Sequence, residues 1–107
     1  MQYYKKAIAL DPENSLVFYN AGILYNILSD YKSGADALSA SIKINKQNTY
    51  AYLALGDALE RSKDLTKAVD TYKELFDSGT QVHGLKEKIA YLENIIGANG
   101  GNLATTF

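Results

Sequence analysis

The sequence has no cysteine, no tryptophan, one proline and one histidine in 107 residues. Without cysteine the chain forms neither disulfides nor thiolate metal sites, and its redox compartment is not indicated. A single histidine leaves little material for a catalytic triad or a metal centre. No apolar run approaches the roughly 18 residues that a membrane span needs, so we expect no membrane insertion. No signal peptide is visible, and the compartment stays open, with the cytoplasm as the default.

The sequence also has no marked excess of acidic or of basic residues. Eleven basic and twelve acidic residues give a net charge of −1 and are mixed along the chain. This distribution provides no electrostatic footprint for nucleic acid or an anionic membrane. The hydrophobic fraction of 47% and charged fraction of 21% are typical of a globular domain. Because proline is so rare and helix-forming residues are common, the composition favours an all-helical chain.

An internal repeat is the strongest signal in the sequence. Residues 15–48 align without gaps on residues 49–82. Gly22 aligns with Gly56, and the apolar positions of the two units coincide. The repeat period is therefore close to 34, which indicates a stacked helical repeat.

Each unit reads as two amphipathic helices separated by a short break. Gly22 and Gly56 fall in mid-helix, where glycine costs roughly 1 kcal/mol relative to alanine, so we expect close helix packing there. Asp30 and Asp64 follow the break and are placed to cap the second helices. The predicted inward faces of those helices are Gly34, Leu38, Ser41 and Ile42, and Ala68, Tyr72, Leu75 and Phe76. Because Gly34 aligns with Ala68, Gly34→Ala is expected to raise stability by up to about 1 kcal/mol.

The ends of the sequence fit the same frame. YYKKAIALDPEN reads as the second helix of a truncated repeat, residues 1–14, which ends at Pro12 because proline cannot continue a helix. This suggests a fragment of a longer array, or a partner that supplies the missing surface. Residues 83–97 predict a capping helix from about His83 to Ile96, which ends at Gly97. Residues 98–107 are predicted to form a flexible tail.

The unit resembles the tetratricopeptide repeat, whose pattern is W-x2-L-G-x2-Y, then A-x3-F, then P. The first half appears here as FYNAGILY and YLALGDAL, the second as GADAL and AVDTY, and the end as KAIALDPEN. Phe18 and Tyr52 replace the tryptophan, and Lys46 and Thr80 replace the proline. The resemblance covers residues 3 to about 82. It implies an all-α, antiparallel helix-pair superhelical repeat, an α-solenoid of about five helices.

The resemblance also implies a function. First helices of tetratricopeptide arrays line a concave groove, so the chain is expected to be a non-catalytic interaction scaffold that binds a partner peptide or helix there. The predicted partner-binding residues are Leu16, Tyr19, Asn20, Ile23, Asn26, Ile27, Tyr50, Leu53, Asp57, Glu60 and Arg61, with Ala54 beside them. The family's chaperone clamp uses Lys, Asn and Arg on these helices. Asn20 lies at a suitable phase, but its companions would fall near Tyr50 and Ala54, which are uncharged. An apolar or helical peptide is therefore the favoured ligand.

Two other functions are weighed against this one. The alternative is a homo-oligomerisation module, a homodimer for example, assembled through the truncated N-terminal half-repeat or through Leu103 and Phe107 of the tail. An enzyme is disfavoured, because His83 has no supporting residues and the carboxylates near Arg61 read as a solvated face. We expect no cofactor and no metal.

Overall fold

The computed structural model describes residues 14–98. Its elements are α1 (Ser15–Ile27), α2 (Tyr31–Ile44), α3 (Thr49–Arg61), α4 (Leu65–Asp77) and α5 (Leu85–Ile96). Five helices and no strand in this part of the chain confirm the all-α prediction. The predicted N-terminal half-repeat and the predicted tail lie outside the described residues, apart from Asn14 and Ala98. No helix within residues 14–98 is long and apolar enough to cross a membrane.

Polar side chains start the first four helices at positions that recur from one repeat to the next. Asn14 and Asn48 accept backbone N–H bonds at the starts of α1 and α3. Asp30 and Asp64 do the same for α2 and α4, which confirms the predicted caps. Each bond satisfies an amide that has no partner inside the helix. The caps therefore fix where both helices of each pair begin.

Tight turns reverse the chain inside each pair. Ser29 and Lys63 adopt the left-handed conformation, with φ of 63° and 69°. The amide of the following aspartate bonds back to a carbonyl five residues earlier, at 2.9 Å in the first turn and 2.8 Å in the second. This bond closes the end of the first helix and allows the second to begin after one more residue. The result is two antiparallel helix pairs, α1–α2 and α3–α4.

The helices stack in chain order. Each packs on the next, and α1 also lies against α3. One buried cluster joins α3, α4 and α5 and consists of Tyr52, Ala68, Val69, Tyr72, Leu75, Leu85, Ile89 and Leu92. A second joins α2 and α3 through Leu38, Ala51 and Leu55. The core therefore runs along the stack.

Two helix crossings use glycine for close approach, as predicted. A Cβ on Gly22 would lie 2.5 Å from Cγ of Leu38 and 3.2 Å from the carbonyl oxygen of Gly34. A Cβ on Gly56 would overlap the ring of Tyr72. In both pairs, the first helix thus accommodates a large side chain of the second.

The structure corrects three expectations. An alanine at Gly34 would overlap Oδ1 of Asn26, so Gly34→Ala is now expected to destabilise the chain and not to stabilise it. Phe76 does not face inward, because its side chain is 47% exposed. The capping helix begins at Leu85, after Gly84 with φ of 79°, and His83 precedes it as an exposed residue. Gly84 gives a left-handed turn that starts α5 two residues late.

Candidate functional site

The predicted site contains two parallel rows of side chains. We define the α1–α3 face as Leu16, Asn20, Ile23 and Ile27 of α1 with Tyr50, Ala54, Asp57 and Arg61 of α3. The spacing within each row places its members on one side of a helix, and the two rows occupy equivalent positions in successive repeats. Leu16 is 59% exposed, and Ile27 and Tyr50 are each 70% exposed. These large apolar side chains are not needed by the core.

A side-chain hydrogen bond fixes the spacing of the two rows. Nδ2 of Asn26 donates to the carbonyl oxygen of Ala54 at 3.3 Å, which ties α1 to α3. Oδ1 of Asn26 is buried and has no hydrogen-bond partner within the described residues. The side chain lies between Gly34 of α2 and Ala54 of α3. It therefore helps to set the distance between these helices.

An open depression of about 370 Å³ lies on the α1–α3 face. Its lining comprises Ile23, Asn26, Ile27, Ser29, Tyr31, Ala54, Asp57 and Arg61. Five of the eleven predicted site residues are therefore brought together here. Sequence reasoning missed Ser29 and Tyr31, which follow α1 through the tight turn. The turn signal at Ser29 and Asp30 could have predicted their position, because a tight turn returns the chain beside the end of α1.

One edge of the depression is polar. Nε of Arg61 donates to both carboxylate oxygens of Asp57, at 3.2 and 3.1 Å. The guanidinium also lies 5.8 Å from the ring centroid of Tyr31, in cation–π range. The Asp57 carboxylate raises the pKa of Arg61. Both side chains are exposed, so the pair contributes little to stability. It presents an oriented cation and an aromatic ring beside an apolar floor.

Three other predicted residues make contacts inside the fold. Tyr19 packs on the cluster that joins α2 and α3, and Leu53 packs on the cluster that joins α3, α4 and α5. The carboxylate of Glu60 accepts hydrogen bonds from Tyr72 and Lys88. Asn20 is exposed. The open part of the predicted surface is therefore smaller than the predicted set.

Glu60 links three helices. Its carboxylate accepts from the hydroxyl of Tyr72 at 2.6 Å and from Nζ of Lys88 at 3.1 Å. Burial first, and then the Glu60 carboxylate, raise the pKa of Tyr72 well above its ordinary value of 10.0. The bond to Lys88 spans 28 residues, as does the bond from Asn26 to Ala54. These two bonds lie one repeat period apart: the first joins α1 to α3, and the second joins α3 to α5.

The same register continues onto α5. Tyr91 lies one repeat period after Asp57, and Lys88 lies one period after Ala54. Tyr91 is 60% exposed. The sequence analysis did not include Lys88 and Tyr91 among the candidate residues, because it assigned α5 to a capping helix. The period itself, carried one unit further, would have found them.

In the part of the chain that the structure describes, no three histidine, aspartate or glutamate side chains gather closely enough to hold a metal ion. The α1–α3 face offers apolar contact, hydrogen bonds and one guanidinium.

The helix pairs and their repeating register define the class. Two family models match, each described as a tetratricopeptide repeat, at residues 3–34 and residues 49–78. The chain belongs to the tetratricopeptide repeat family.

Curated relatives include BBSome complex member BBS4. The chain is 30% identical to the Bos taurus protein over 73 residues, which is 68% of this chain and 14% of the relative. It is 31% identical to the Xenopus tropicalis protein over 70 residues, which is 65% of this chain and 14% of the relative. The chain therefore matches about a seventh of the length of these relatives.

Solved structures share the fold. The first tetratricopeptide domain of Spaghetti (RPAP3), bound to the HSP90 peptide SRMEEVD, superposes with a TM-score of 0.77 at 18% identity. That match covers 88% of this chain and 75% of the other. The N-terminal domain of stress-induced protein-1 from C. elegans gives 0.74 at 23% identity, over 84% of this chain and 76% of the other. At these identities the likeness concerns the fold.

Proposed function

We propose that the chain is a non-catalytic protein-interaction scaffold whose α1–α3 face binds a peptide or helix of a partner protein. The observation that carries the proposal is the exposure of Leu16, Ile27 and Tyr50 on the α1–α3 face, which also contains the open depression lined by Ile27. Clustered apolar side chains on a soluble surface favour association, since their burial releases water. Tyrosine adds a large, stiff contact at low entropic cost.

The lining of the depression favours a particular kind of ligand. Ile23, Ile27 and Ala54 suit an apolar side chain of the partner. Arg61 and Tyr31 stand at the polar edge, where they suit a hydrogen-bonding group beside that side chain. An amphipathic helix or an extended peptide with one large apolar anchor meets both conditions.

The peptide-bound neighbour supports the general mode of binding. Spaghetti carries an HSP90 peptide on the same fold. In this chain, the positions that would supply cationic clamp residues hold Tyr50 and Ala54, so a terminal carboxylate is a poorer ligand than an apolar segment. BBS4 is named as a member of a protein complex, which is consistent with a scaffold role for repeats of this kind.

A peptide-library selection tests the proposal. Peptides selected against the chain would be labelled, and their affinity measured by fluorescence anisotropy. Tyr50→Ala and Ile27→Ala are each expected to weaken binding about tenfold, because each removes a large apolar contact. Leu28→Ala is the matched control, since Leu28 is 59% exposed but lies outside the α1–α3 face, at the C-terminal cap of α1.

Selected peptides whose affinity is the same for all three variants would refute the proposal. Light scattering on the unliganded chain addresses the alternative. A dimer that persists on dilution and loses affinity with Tyr50→Ala would mean that a second copy, and not a different partner, occupies the face.

A further inference from the structure

A second apolar groove lies between α4 and α5. It encloses about 460 Å³, with Phe76, Ile89 and Ala90 as its apolar lining. Phe76 is 47% exposed and Ala90 is exposed. None of these residues belongs to the α1–α3 face. We call this surface the α4–α5 groove.

The repeat provides an equivalent groove one unit earlier, and there it is filled. One repeat period before Phe76 and Ala90 stand Ile42 and Gly56. Ile42 packs against the cluster that contains Tyr72, and the ring of Tyr72 lies directly over Gly56. The occupant of the earlier groove is therefore α4, with an aromatic side chain above the small residue.

The same contact occurs once more upstream, in the first pair. Leu38 of α2 covers Gly22 as Tyr72 of α4 covers Gly56. In this register the residue that would cover Ala90 is Thr106. Threonine is small and polar, and Gly100 and Gly101 precede it. The position that the register assigns to the covering side chain therefore holds no large apolar residue.

We propose that the α4–α5 groove binds an amphipathic helix of a partner protein, in the position of a further second helix, with a large apolar side chain over Ala90. Such a helix would continue the stacking interface already formed by α2, α3 and α4. It would occupy a second contact surface, separate from the α1–α3 face.

The rim of the groove is charged. Lys73 and Glu93 form an ion pair of 2.7 Å across the groove. Lys86 and Glu93 occupy positions that hold Tyr52 and Leu59 one unit earlier. Charges at these positions keep the surface soluble when it is uncovered, while the apolar floor remains available. A helix with polar flanks and an apolar centre is the complementary shape.

A copy of α4 is the natural probe. A stapled peptide of residues 64–78 would be titrated into the full isotope-labelled chain and followed by amide NMR shifts. We expect saturable shifts centred on Phe76, Ile89 and Ala90. The same peptide with Tyr72→Ala is expected to bind about tenfold more weakly, because it lacks the side chain that covers the small residue.

Variants of the chain locate the binding. Ala90→Glu places a charge in the groove at an exposed helical position, so it is expected to weaken binding about tenfold while the melting temperature is retained. Phe76→Ala should act in the same direction. Ile44→Ala is the matched control, since Ile44 is an exposed apolar residue at the end of a second helix and does not line the groove.

Three results would overturn the proposal. One is the absence of saturable shifts up to about 1 mM peptide. Another is binding that perturbs only the α1–α3 face. A third is a shift of the groove amides when residues 99–107 are deleted, or when the chain alone is diluted, because its own segment or a second copy would then be the occupant. None of these depends on Tyr50 or Ile27, so failure here is distinct from failure of the proposed function.

Discussion

Replacing Gly34 with alanine tests how closely α1 and α2 approach. On helix propensity alone the change would stabilise the chain by up to about 1 kcal/mol. In the structure the added Cβ would overlap Oδ1 of Asn26, lie 3.0 Å from its Cγ, and lie 3.2 Å from the carbonyl oxygen of Gly22. Asn26 must therefore move, which breaks its bond to Ala54.

The opposing terms can be compared. Overpacking costs about 1–3 kcal/mol, and the lost hydrogen bond costs roughly 0.5–1.5 kcal/mol. Together they exceed the propensity gain and leave a net cost of about 0.5–3.5 kcal/mol, within which we expect a destabilisation of about 1–2 kcal/mol. At roughly 4–8 °C per kcal/mol, the melting temperature should fall by about 4–16 °C.

Thermal and urea unfolding of a small set of variants measure this effect. With Asn26→Ala already present, the side-chain overlap is gone and only the 3.2 Å contact with the Gly22 carbonyl oxygen remains, so Gly34→Ala is expected to stabilise. Such a change of sign requires coupling between the two positions. Ser39→Ala, at an exposed site of α2, is the control for propensity and should stabilise by a few tenths of a kcal/mol. A higher melting temperature for Gly34→Ala in the original background would refute the packing argument.

Three further predictions concern the interior and the caps. Tyr72→Phe removes the hydroxyl that Glu60 accepts, and urea unfolding should show a loss of about 1.5–3 kcal/mol, the range for bonds to charged groups; no loss would mean that water replaces the hydroxyl. Because the folded pKa of Tyr72 lies above its unfolded value of 10.0, the stability that protonated Tyr72 contributes is complete below pH 10 and is lost as the pH rises further. The melting temperature should therefore fall at rising alkaline pH, and it should fall less in Tyr72→Phe. Asp64→Ala removes the cap of α4 and should cost about 0.5–2 kcal/mol by thermal melting, whereas Asp57→Ala, which breaks only the exposed pair with Arg61, should leave the melting temperature nearly unchanged.

The repeat period predicted most of the fold because it repeats the local signals that start and end helices. The cap positions of Asp30 and Asp64 and the close approach at Gly22 and Gly56 follow from sequence at single positions. Each of these features depends on a residue and its near neighbours. They could therefore be read without knowing how the helices are arranged.

What the sequence did not predict depends on pairs of residues from different helices. Gly34 aligns with Ala68, but the residues opposite them differ. Asn26 packs on Gly34, whereas its counterpart Glu60 turns towards Tyr72 and Lys88 and leaves room for Ala68. The alignment compares positions within a helix and carries no information on which neighbour fills the space.

The exposure of the candidate site residues could be predicted only in part. Helical phase identified the exposed row that contains Leu16 and Ile27. It could not separate Tyr19 and Leu53, which lie near the same phase but pack on the core. Tyr31 joins the depression because the turn at Ser29 folds back, which is a tertiary effect.

The stacking of each helix on its neighbours has a kinetic consequence. Contacts join helices that are adjacent or one apart in the chain, so the described part of the molecule is built from interactions of short sequence separation. Topologies of this kind fold rapidly, since little loop entropy is lost before contacts form. They also open from the ends, one interface at a time, as linear arrays do. Hydrogen exchange should therefore be slowest at the α2–α3–α4 centre, and a ligand that bridges α1 and α3 would delay the opening of the first pair.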